Sequence, residues 1–199
     1  MSGVTDLPLK FVAGHPALDF VNTVDWPDPA GERLTRYDRV AAWSEEAGLL
    51  AHRAAARLRA RASREPRRAA AALARALSSR ALLHRLFARR ATGTLAPADL
   101  RDFNRLLGDL GPRRQLIATG RVQVWAWREE DRHLDAPLWP VLWSAAELLA
   151  SEEADQIRVC PGEGCGWMFV DRSRNGLRRW CEMRTCGTAE KARRRARSR

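Results

Sequence analysis

The sequence predicts an α+β chain, mainly helical in its N-terminal part, with a small β-hairpin there and a distinct C-terminal module. Three observations predict it. Apolar residues recur at helical spacing through most of the chain up to Ser151. The period drops to two between Gln115 and Trp127. All four cysteines lie beyond Val159, in a segment of different composition.

Taken in order, Leu9-Lys-Phe-Val12 reads as a short strand, and Gly14-His-Pro opens a helical segment carrying Ala17, Leu18, Val21 and Val24. Trp26-Pro-Asp-Pro-Ala-Gly31 is dense in turn formers and reads as a loop. Thr35 is the expected N-cap of a helix through Val40 and Trp43 that stops at Gly48. Residues 51–91 are rich in Ala and Arg with few breakers, and Pro66 fits a first helical turn. Leu73, Leu77, Leu83 and Phe87 share one side of the helix that follows, and Gly93 closes it. Pro97 opens another helix, with Leu100, Phe103, Leu106 and Leu107 on its apolar face. Gln115–Thr119 and Arg121–Trp127 alternate as strands around Gly120, which predicts a hairpin. Pro137–Ser151 returns to helix, with Leu138, Leu142, Ala145 and Leu149 on one face. The acidic Glu152-Glu-Ala-Asp155 marks the expected boundary between domains at 1–155 and 156–199.

No run approaches the roughly eighteen apolar residues of a membrane helix, so no membrane partner is expected. Met1–Lys10 lacks a basic region followed by an apolar stretch, which leads us to expect no signal peptide and a cytoplasmic location. The net charge of +11 is almost wholly arginine, the only lysines being Lys10 and Lys191. It is also localised: Arg158–Arg199 carries +8, and everything before it only +3. A basic surface so concentrated suggests a polyanion, most commonly nucleic acid.

The cysteines coincide with that charge, as Cys160-x4-Cys165, fifteen residues, then Cys181-x4-Cys186. Zinc takes four thiolates at tetrahedral corners, and two short loops offering two thiolates each meet that demand. The glycines of Cys160-Pro-Gly-Glu-Gly-Cys165-Gly166 permit tight turning and let backbone N–H groups point at sulfur. Two disulfides are the competing reading, and a reducing compartment argues against them. The spacing also favours zinc over a redox pair or an iron–sulfur cluster. With four cysteine ligands no coordination position stays open, so one structural Zn²⁺ is expected rather than a catalytic one.

Between the loops Trp167–Asp171 reads as a strand and Arg172-Ser-Arg-Asn-Gly176 as a polar turn. After Cys186 a helix is expected, with Ala189, Ala192 and Ala196 as a stripe packed on the module. A knuckle, a second hairpin and a helix entered through the last two ligands describe a treble-clef-like finger. Trp167 and Trp180 are expected to pack its small core, and Asp171 to brace the turn at Ser173 or to pair with Arg179.

Cys160-Pro-x3-Cys-Gly-Trp-x-Phe-x-Asp-x-Ser-Arg-Asn, followed by Arg179-Trp-Cys-x-Met-x2-Cys-Gly, resembles the CGNR zinc finger. Ala17-Leu-Asp-Phe-Val-Asn-Thr23, Tyr37-Asp-Arg-Val-x2-Trp43 and Asp99-Leu-x3-Asn104 resemble the ABATE domain that usually accompanies it. The resemblance covers most of the chain and implies a stress-induced transcription regulator that binds DNA through the finger. One departure falls on the name-giving motif, where Thr188-Ala189 stands in place of the family's Asn-Arg.

Six of the last nine residues are basic and none is acidic. Arginine forks onto phosphates and guanine edges, so double-stranded DNA is the expected partner. Arg193, Arg194, Arg195 and Arg197 are the expected phosphate contacts, with Lys191 on the same helix and Arg172, Arg174, Arg178 and Arg179 flanking. One finger offers little area, which calls for a homodimer or another partner. The alternative is a protein adaptor, the basic finger docking on an acidic surface of the transcription machinery.

The N-terminal part holds six of the eight tryptophans, which suggests a pocket for an apolar or aromatic effector, or a dimerisation role. His15, Asp19, Asn22 and Trp26 are the candidate effector-binding residues, Asp19 and Asn22 serving equally well as braces of the fold. His52, His84 and His133 are scattered, and no nucleophile motif, phosphate loop or second metal cluster accompanies them. No enzymatic activity is expected.

Overall fold

The structure, a computed structural model, describes residues 6–26 and 31–197. The loop expected at Trp26–Gly31 thus lies largely outside the described residues.

A long alanine-rich helix organises the N-terminal part. Helix α4 (Pro66–Thr92) begins with proline in its first turn and ends at Gly93, whose φ of 155° excludes most side chains. Its buried apolar positions are Ala69, Ala72, Ala76, Leu82, Leu83, Leu86 and Phe87, while Leu73 and Leu77 sit at the margin. The small residues let neighbouring backbones approach closely. Around it pack α1 (Pro16–Val21), α2 (Tyr37–Glu46), α3 (His52–Arg64), α5 (Pro97–Gly108) and α6 (Trp139–Leu149). On α5 only Phe103 of the four expected apolar residues is fully buried.

Three local expectations are corrected. Leu9–Val12 forms no strand, because side chains rather than a ladder take up nearby carbonyls: Arg33 Nε donates to Pro8 O, Arg39 Nη2 to Leu7 O, and Arg178 Nη2 to Val12 O. Thr35 does not cap α2; its hydroxyl turns to Asp6, which also holds Arg36, the residue that precedes the helix. Helix α1 ends at Val21, short of Val24, where the Asn22 side chain is drawn off to another strand.

The hairpin forms as expected from β1 (Arg114–Thr119) and β2 (Val122–Trp127), turning at Gly120 with φ +62°. Opposed pairs such as Leu116 with Trp125 and Ile117 with Val124 remain exposed. Its root is fixed instead. The Arg114 guanidinium lies 4.5–5.0 Å from the ring centres of Trp125, Trp127 and Trp143, the last on α6.

A second, two-stranded sheet follows from β3 (Ile157–Val159) and β4 (Met168–Val170), antiparallel, pairing Ile157 with Val170 and Val159 with Met168. Ile157, Met168, Phe169 and Val170 are buried in the same continuous apolar core as α1, α4 and α6. The second hairpin expected after Asp171 is not found among the described residues. Instead the chain makes a tight turn, one turn of π-helix at Met183–Gly187, and then α7 (Thr188–Arg197).

Candidate metal centre and basic surface

The turn between β3 and β4 presents Cys160 and Cys165, and the segment leading into α7 presents Cys181 and Cys186. The four sulfurs lie within 4.8 Å of one another. Cys181 Sγ is 3.6 Å from the sulfurs of both Cys165 and Cys186. A ZnS₄ tetrahedron with bonds of about 2.3 Å requires sulfurs about 3.8 Å apart, so these residues fit one Zn²⁺. All four are free of disulfides.

Electrostatics point the same way. Hydrogen bonds from the Cys165 and Cys181 thiols hold Cys160 well below the usual thiol range, with the Cys181 and Gly162 backbone N–H groups assisting. The Cys160 sulfur in turn pushes both Cys165 and Cys181 up. Thiols so crowded ionise together only around a cation that cancels their repulsion. Space is tight as well: a Cβ on Gly162 would come within 3.0 Å of Cys186 Sγ. Four cysteine sulfurs leave a bound zinc no open position, so its role is structural.

The finger is bound into the rest of the protein at several points. Asn22 donates through Nδ2 to Met168 O at 2.8 Å and accepts from Met168 N at 2.9 Å. Trp167 Nε1 donates to Val24 O, and Trp26 N donates to Cys165 O, at 3.0 and 3.1 Å. Gly166, at φ +58°, lies so close to Trp26 that a Cβ would come within 2.7 Å of its backbone oxygen. Only glycine satisfies both demands there.

Arg178 has a role the sequence did not disclose. Its guanidinium lies 4.2 Å from the Phe169 ring centre and donates to the carbonyls of Val12, Trp180 and Cys181. Those donors are engaged in joining the N-terminal segment to the second cysteine loop, so Arg178 stands apart from the other candidate phosphate contacts. Asp171 braces the adjoining turn by accepting from Ser173 N, Ser173 Oγ and Arg178 N, and not from Arg179.

Helix α7 departs from expectation in its packing. It buries no residue, and Ala189, Ala192 and Ala196 are all exposed. What faces the finger is a polar contact: Arg193 pairs with Glu190 at 3.3 Å and with Glu163 of the first cysteine loop at 3.1 Å. At the start of the helix, Thr188 Oγ1 donates to Met183 O, so the residue replacing the family's Asn serves the turn rather than the surface. Arg179, Lys191, Arg194 and Arg197 line a groove of about 590 Å³ between this helix and Trp180, with Glu190 its one carboxylate. Arg174 and Arg195 are exposed elsewhere on the finger, and Arg172 pairs with Glu153.

The four candidate effector residues are not brought together. His15 accepts the Ala17 N–H and caps α1, and burial lowers its pKa. Asp19 accepts the Ala13 N–H at 2.9 Å, and burial pushes its carboxyl up to about 6. These two border a small cavity of about 230 Å³. Asn22 and Trp26 face the finger instead, Trp26 stacked 3.7 Å from His84. His84 is thus a packing residue.

Fold and site together define a four-cysteine zinc-finger protein with a helical N-terminal part. The chain belongs to the ABATE family, described as "Putative stress-induced transcription regulator", whose model matches residues 14–152. The CGNR zinc finger matches residues 156–199. No curated protein matches the chain. Among the described residues no helix is long and apolar enough to cross a membrane.

Proposed function

We propose that this protein is a cytoplasmic transcription regulator that binds double-stranded DNA through its zinc finger, with the N-terminal domain, residues 1–155, sensing a small ligand or mediating dimerisation. The observation that carries the DNA reading is the groove lined by Arg179, Lys191, Arg194 and Arg197, beside an α7 that buries nothing. A helix bearing five cations and one carboxylate, with no apolar face of its own, gains most by lying against a polyanion. Zinc holds the start of that helix in place, since Cys186 immediately precedes Gly187 and Thr188. Trp180 forms the groove's aromatic wall, and the Arg179 guanidinium lies 5.2 Å from its ring centre. In this reading Arg172, Arg174, Arg193 and Arg195 flank the groove and add to the field.

The test is a salt titration of duplex binding by the full-length, zinc-loaded protein. The whole chain is needed because the finger shares its core with the N-terminal part. Neutralising about six phosphates predicts a slope of log K on log[salt] of about −5. No binding to any duplex at low salt would overturn the DNA reading in favour of the protein adaptor.

A further inference from the structure

A sizeable cavity lies away from the finger and from the candidate effector residues. It has a volume of about 670 Å³, in the range that holds small organic ligands. It opens where α4, the end of α5, the root of the β1–β2 hairpin and the start of α6 meet. Leu110, Leu138, Trp139 and Leu142, all at least nine-tenths buried, supply the apolar wall.

Its polar groups differ in how far they are engaged. Asp135 is taken by Arg75 in a two-pronged pair at 2.8 and 2.9 Å, and Glu129 by Arg132 at 3.0 Å. Arg113 and Arg128 have no carboxylate partner among the described residues. A backbone bond from Arg128 N to Arg113 O, 2.7 Å long, holds these two residues side by side. The Arg113 guanidinium lies over the Trp139 ring, 4.5 Å from its centre. The wall carries three arginines and three carboxylates, and with Asp135 and Glu129 engaged, Arg113 and Arg128 face Asp109 as the one unpaired carboxylate. Ser79, only 3% exposed, lines the cavity from α4, and its hydroxyl makes no hydrogen bond among the described residues.

We propose that this cavity binds an amphipathic organic anion. Its ring or short alkyl body lies against Trp139, Leu138 and Leu142, and its acid group meets Arg113 and Arg128, with Ser79 available for a second polar contact. The proposal rests on the ligand-sensing half of the function proposed above, and gives it a place and a ligand class. The cavity beside His15 and Asp19 is about a third the size and lacks such a wall.

The experiment is fluorescence titration of the full-length, zinc-loaded protein with the anionic probe 8-anilinonaphthalene-1-sulfonate and its uncharged relative N-phenyl-1-naphthylamine. Saturable one-to-one binding of the anion is expected. Arg113→Gln with Arg128→Gln should weaken it at least tenfold and change the neutral probe less than twofold, with circular dichroism unchanged. Octanoate should displace the probe, and octylamine should not. Val122→Ser, on the exposed hairpin, should leave binding intact. Absence of saturable binding, or binding indifferent to the arginine pair, or binding lost in Val122→Ser, would overturn the proposal. Because no DNA is present, any of these outcomes removes the site without touching the DNA reading, and failure to bind a duplex leaves the site standing.

Discussion

Asn22 meets Met168 as a strand would, its side-chain amide donating to the Met168 carbonyl at 2.8 Å and accepting the Met168 N–H at 2.9 Å. One residue at the end of α1 thereby pairs the main chain of β4, on the wall of the metal-bearing module. Both partners are buried, and no water could replace them without opening the core. Asn22→Ala leaves two buried backbone groups unpaired, which costs about 2–4 kcal/mol. In a chain of this size that lowers Tm by roughly 5–15 °C. Differential scanning calorimetry of the zinc-loaded variant checks it; an unchanged Tm would mean the pairing contributes nothing.

Removal of the metal should spread beyond the finger for the same reason. Cys160 and Cys181 are buried members of a core that also contains Trp43 and Phe87. One zinc per chain is expected by elemental analysis, and Cys181→Ser should abolish retention. Structural zinc contributes on the order of 10 kcal/mol to small finger domains. Chelation should therefore lower the melting of the entire chain, and a calorimetric trace with an unmoved main transition would contradict it.

Much of this architecture was legible in the sequence, and for identifiable reasons. Proline and glycine punctuate α4 and α5, and the alternation Val122, Val124, Ala126 announces β2. The cysteine spacing carried the metal site, because four sulfurs around one ion leave few arrangements. What could not be read was anything settled by distant partners. Asn22 and Asp19 read equally well as pocket residues and as braces of the fold, and the sequence could not name the main-chain groups they bond, least of all Met168, 146 positions from Asn22. Arg178 looked like one more cation in a basic run, yet its engagement depends on Val12, 166 positions away. The alanines of α7 had helical spacing, but spacing cannot tell a packed stripe from an exposed one.

Two buried groups should shape the response to acid in opposite directions. Burial pushes Asp19 up to about 6, so between about pH 4 and 6 the folded chain holds a proton that the unfolded chain has lost. Asp19 therefore favours folding at the acid end of that window, and the contribution fades as pH rises through 6. Burial drives His84, stacked on Trp26, down to about 4. Below about pH 6.5 the unfolded chain gains a proton that folded His84 refuses, so stability falls on acidification. Asp19→Asn should leave the His84 effect unopposed and make the variant's loss between pH 6.5 and 4.5 steeper than that of the parent. His84→Leu should make it shallower. Urea denaturation of both variants and the parent at the two pH values checks the signs.

The arginines of the finger should separate into two kinds under mutation. Arg178 donates to the Val12, Trp180 and Cys181 carbonyls and covers Phe169, so Arg178→Ala removes charge-assisted bonds from a half-buried site. That predicts a loss of about 2–4 kcal/mol in stability. Its duplex affinity, measured well below the lowered Tm, should keep the parent's salt slope. Lys191 and Arg197 are exposed on a helix that buries nothing, so Lys191→Gln and Arg197→Gln should leave Tm within about 1 °C. If each meets one phosphate, each change makes the slope of log K on log[salt] shallower by about 0.9. Melting curves and filter binding at several salt concentrations make the comparison. Equal salt slopes for the parent, Lys191→Gln and Arg197→Gln would remove the groove from the binding surface and move the search to Arg174 and Arg195.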